Sequence, residues 1–96
     1  MASNKDYLDY VLDLLSDISN ITYKKMMGEY LLYSDGILFG GIYDDRFLVK
    51  KTISNISFNL KDEIPYPNAK GMFLIDIEDT DIIKEIVLNV IKDLSK

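Results

Sequence analysis

Apolar residues change their spacing twice along this chain, and each change marks a new kind of element. Over residues 5–18 they recur three and four positions apart, at Leu8, Val11, Leu12, Leu15 and Ile18, while Asp6, Asp9, Asp13 and Asp17 gather on another side. This is the period of an amphipathic helix. Ser3 or Asn4 can cap its start, and Asp6 sits favourably against the positive end of the helix dipole. The acidic row reads as a solvated face.

The central block switches to short segments. Residues 21–27, 30–34, 37–43 and 46–50 are rich in β-branched and aromatic side chains, as strands are. Two-residue links separate them: Gly28 with Glu29, Asp35 with Gly36, and Asp44 with Asp45. Gly-X suits a type II′ turn and Asp-Gly a type I′ turn, and aspartate tolerates positive φ better than most residues. Four strands joined by three tight turns make an antiparallel meander. Gly40 and Gly41 fall inside the third strand. There glycine marks a bulge, a close neighbour such as a packed helix, or a place where a ligand lies against bare backbone.

Residues 52–63 (TISNISFNLKDE) read as a short helix or irregular turn, with Ile53, Ile56 and Phe58 or Leu60 pointing inward. Pro65 and Pro67 make residues 64–71 a loop. Residues 72–77 (MFLIDI) read as a fifth strand. Thr80 or Asp79 then caps a last helix reaching about Leu94, in which Ile82, Ile83, Ile86, Val87, Val90, Ile91 and Leu94 repeat as a broad apolar arc. Such a helix must dock, by default on its own sheet, and the width of its arc leaves room for a dimer contact. The expected order is α-β-β-β-β-(α)-β-α. This is a two-layer α+β domain whose antiparallel sheet of about five strands, a four-strand meander plus one, is flanked by an N-terminal and a C-terminal helix.

Length and composition narrow the functional field. Ninety-six residues suffice for one domain, 1–96, with a single core. No apolar run approaches the ~18 residues of a membrane span, and the start lacks the basic-then-apolar layout of a secretion signal. A cytoplasmic protein is expected. Cysteine and histidine are both absent, which removes thiol nucleophiles, thiolate and imidazole metal ligands, and the commonest general base near neutral pH. The net charge of −5 disfavours direct nucleic-acid binding, which needs clustered cations, and membrane-surface binding with it.

Catalytic motifs are equally sparse. Neither a Gly-x-x-x-x-Gly-Lys phosphate loop nor a Gly-x-Gly-x-x-Gly fingerprint occurs, and the acids around Gly36 lack calcium-loop spacing. Sixteen acids allow many carboxylate pairs, but no spacing singles one out. A non-enzymatic chain without cofactor or metal is expected. Its best candidate binding residues are Lys24, Lys25, Arg46 and Lys50 beside Gly40 and Gly41, a small basic patch on the sheet suited to an anionic ligand or nucleic acid. The competing reading is a sheet edge whose lysines discourage strand-to-strand aggregation.

One combination of residues goes further. Lys24, Lys25 and Met26 precede Gly28, Tyr33 stands ahead of the Asp35–Gly36 turn, and Phe39, Leu48 and Lys50 follow in an "FG" and an "L-x-K" segment. With the leading helix and residues 65–76 (PYPNAKGMFLID), this pattern resembles the N-terminal domain of the TfoX/Sxy family over nearly the whole chain. Met27, Glu29 and Leu31 depart from it, where an aromatic and two glycines are usual. The resemblance implies a stand-alone regulatory or protein-interaction module, without the C-terminal domain that the family's competence regulators carry. It implies a protein partner or a homodimer and a link to DNA-transformation competence, and it transfers no catalytic residue.

Overall fold

A computed structural model describes residues 3–95. Helix α1 (Lys5–Leu14) leads into the antiparallel strands β1 (Ile21–Met26), β2 (Glu29–Ser34), β3 (Ile37–Tyr43) and β4 (Arg46–Val49). A 3₁₀ helix (Ile53–Phe58), strands β5 (Lys61–Glu63) and β6 (Met72–Leu74), and helix α2 (Thr80–Leu94) follow. The sheet runs β1-β2-β3-β4-β6-β5, the meander expected from the sequence with one hairpin added to its far side. Asn4 caps α1 by accepting from the Asp6 amide at 2.7 Å, and Asp79 caps α2 by accepting from Asp81 and Ile82.

Alternation along the strands puts Tyr30, Leu32, Ile42, Phe47, Val49 and Phe73 on one face, against Leu8, Val11 and Leu15 from the first helical segment and Ile83, Ile86, Val87 and Val90 from α2. α2 thus docks on its own sheet, and four of its seven arc residues are fully buried. Ile82 and Leu94 lie at the margins of the arc, and Leu88 faces solvent.

Several local readings needed correction. The first turn is Met27–Gly28, one residue earlier than expected, with φ of 52° and 82°. Both values are positive, so the turn is type I′ rather than II′, and Gly28 takes its second position. Asp35–Gly36 and Asp44–Asp45 also have positive φ at both positions. Ile53 and Ile56 point outward, at 88% and 62% exposure. A 3₁₀ helix repeats every three residues, so Asn55 and Phe58 share the inward row while the two isoleucines share another. Buried Asn55 accepts from the Thr52 amide at 2.9 Å and donates to the Lys50 carbonyl at 2.8 Å. The sixth strand, β5, is three charged residues at the sheet edge, a composition that carries no strand signal. β6 stops at Leu74 rather than Ile77, although the Ile75 amide still reaches the Phe47 carbonyl at 2.8 Å.

Candidate functional site

The strand period that fills the helix-covered face leaves a second apolar set on the other side. Cross-strand pairing aligns Lys24, Leu31, Gly41, Leu48, Leu74 and Lys61 in one row, and directly opposed residues share a face. Leu48 is fully buried yet lies outside the helix-side core. Among the described residues, the core packed by the helices includes none of this row. Instead this face carries a groove of about 800 Å³, within the range of ligand sites. Its floor is Met26, Leu31 and Leu38, and its wall is the loop through Pro65, Tyr66 and Ala69. Lys50, Lys51 and Lys70 stand at its rim.

Arg46 holds that wall in place. Its guanidinium pairs with Glu63 at 2.8 Å and donates to the carbonyls of Ile64 and Pro65 at 3.2 and 3.3 Å, while Nε reaches the Tyr43 carbonyl at 3.2 Å. A rigid planar fork suits such multiple bonding. Lys51 pairs with Asp62 and lies 5.1 Å from the Phe73 ring centroid. The acids nearest the groove therefore have structural partners. Glu29 is one more: it accepts from the Ser3 hydroxyl at 2.6 Å and from the Asp44 amide.

The two interior glycines sit where other backbone packs closely. A Cβ on Gly40 would collide with the Leu48 carbonyl oxygen and press on Val49 Cα, beside the register shift at Leu32 and Tyr33. A Cβ on Gly41 would lie 2.6 Å from the Tyr30 carbonyl oxygen and 2.8 Å from the Tyr43 ring. The backbone here is covered by the protein's own atoms. Without a side chain at Gly41 the Tyr43 ring lies down over the strand, 6.2 Å from Tyr66 and tilted by 57°. Burial, then the nearby Tyr66, Glu29 and Tyr33, raises the Tyr43 pKa above its ordinary 10.0.

No family model matches this sequence. Over 87 residues, 88% of this chain and 72% of the other, it is 33% identical to the "Uncharacterized 12.7 kDa protein in trpE 5′ region" of Spirochaeta aurantia. The chain belongs to that protein's family.

Among the six candidate binding residues, the structure brings Lys50 to the groove, with Lys24 and Gly41 in the cross-strand row of its floor residue Leu31. Lys25 pairs with core-facing Tyr30 and so takes the opposite face. Arg46 binds the loop, and Gly40 is packed by β4. Sequence reasoning did not identify Lys51, Lys70 or the wall of residues 64–71. The paired prolines were the available signal, since they stiffen a segment that a wall requires to be stiff.

Proposed function

We propose that this chain is a non-enzymatic protein-interaction module of the TfoX N-terminal type, acting in the cytoplasm in regulation linked to DNA-transformation competence. Its contact surface is the grooved face of the sheet. The observation that carries this reading is the groove itself: an apolar floor on the sheet face opposite the one that the two helices bury. Exposed apolar ground of this kind marks interaction sites in soluble domains. The TfoX-type residue pattern supports the regulatory half of the reading, and light scattering across a concentration series decides whether the partner is a second copy.

Photo-cross-linking in the native cell tests the contact surface. A cross-linking side chain at Tyr66, on the groove wall, is expected to capture a discrete protein adduct. The same group at Leu88, on the solvent side of α2, is expected not to. Leu31→Asp in the groove floor should abolish the Tyr66 adduct without changing the far-UV circular dichroism spectrum. Equal capture at both positions, or none at Tyr66, overturns the reading.

A further inference from the structure

We propose that the groove takes a short acidic segment of the partner, bound extended, with apolar side chains over β1–β3 and carboxylates against Lys50 and Lys70. The inference rests on the interaction reading above and adds the chemistry of what is recognised. It starts from an imbalance of charge. The chain has 16 acids and 11 bases, so acids are plentiful enough to pair every lysine. Lys5, Arg46, Lys51 and Lys61 are paired. Lys24, Lys50 and Lys70, like Lys25, Lys84 and Lys92 elsewhere, hold no ion pair among the described residues, and these three stand together on this face or at its rim. Glu63, Asp62 and Glu29, the acids that might neutralise them, are already engaged by Arg46, Lys51 and Ser3. The result is an unneutralised cationic rim on an otherwise acidic protein, complementary to a carboxylate-bearing partner.

The groove also has an orientation. Its aliphatic and thioether floor lies on β1, β2 and β3, while Lys50 follows β4 and Lys70 lies in the loop before β6. The lysines that line the groove, Lys50 and Lys70, therefore stand at the end away from the apolar floor, with Lys24 a further charge on β1. From β1 to β6 there are four inter-strand steps, about 19 Å at the usual strand spacing, which an extended chain of about six residues spans. Met26 and Met72 supply adaptable side chains at the two ends.

A single-stranded nucleic acid fits less well. Stacking platforms line up successive aromatic rings along a basic groove, whereas this groove holds two, Tyr43 and Tyr66, tilted by 57° to each other, and its floor is aliphatic and thioether.

A random hexapeptide display library selected on the full chain tests this directly. The expected winners have one apolar half and one half containing Asp or Glu. A winning peptide, labelled for fluorescence anisotropy, should bind at least tenfold more weakly to Lys50→Gln/Lys70→Gln, and measurably more weakly to Lys70→Gln alone. Affinity should fall with added salt, and Lys84→Gln on α2 should bind as the wild type does. Winners without acids, an unchanged Kd in both lysine variants, or tight binding of oligothymidylate in place of any peptide overturns the proposal. A Tyr66 adduct combined with neutral winners removes the acidic chemistry and leaves the interaction surface standing. Loss of both removes both.

Discussion

Gly40 and Gly36 need to be glycine for different physical reasons. Gly36 has φ of 81° with open space where a Cβ would go, so its constraint is conformational. Gly40 has ordinary φ, and its constraint is contact with the β4 backbone, which cannot swing aside as a side chain can. Gly40→Ala should therefore cost about 2 kcal/mol or more, the upper part of the overpacking range, read as a lower urea midpoint. Tyr43 gives a second test. Below the ordinary tyrosine value of 10.0 both folded and unfolded states keep the proton. Above it the unfolded chain ionises first, because the folded-state pKa is raised. Stability should thus be full at about pH 9 and fall towards about pH 11, and Tyr43→Phe should lessen the fall. Burial raises the Tyr7 pKa as well, so some of the decline should persist. At this scale the Asp35–Gly36 and Asp44–Asp45 turns were legible because turn chemistry is local. The role of Arg46 was not, because its partners Glu63, Ile64 and Pro65 lie 17–19 positions away.

Among the elements, hairpins and helices declared themselves through period and composition, and their errors have definite causes. The β1–β2 turn slipped by one residue because Met27 adopts a conformation that methionine rarely does. It is 94% exposed at φ 52°, so its side chain gains nothing from packing to offset the backbone penalty. Met27→Asn should raise stability by about 0.5–1 kcal/mol, as Asn-Gly is the favoured type I′ pair. The check is a higher urea midpoint with an unchanged m-value. The 3₁₀ helix was read as one of two alternatives, but its inward side was misassigned. Hydrophobicity favoured Ile53 and Ile56, whereas two part-buried backbone groups needed Asn55, and an unmet hydrogen bond away from water outweighs the exposure of an isoleucine. Asp93 of α2 then fixes this helix by accepting from the Ser54 amide and hydroxyl, both at 2.9 Å.

For the molecule as a whole, the two-layer α+β architecture was legible, since two amphipathic helices and a meander have few ways to bury their apolar faces together. The groove was not, because its wall reads only as loop until tertiary contacts place it. Those contacts have a mechanical consequence. The Asn4 amide that opens α1 donates to the Asp45 carboxylate at 2.7 Å, Ser3 bonds both Glu29 and the Asp45 amide, and the next residue, Arg46, grips the loop. The first helix and the rim of the opposite face thus meet at a single corner post. The two sides of the sheet do not settle independently: whatever displaces the rim loads the same hairpin that seats the helix.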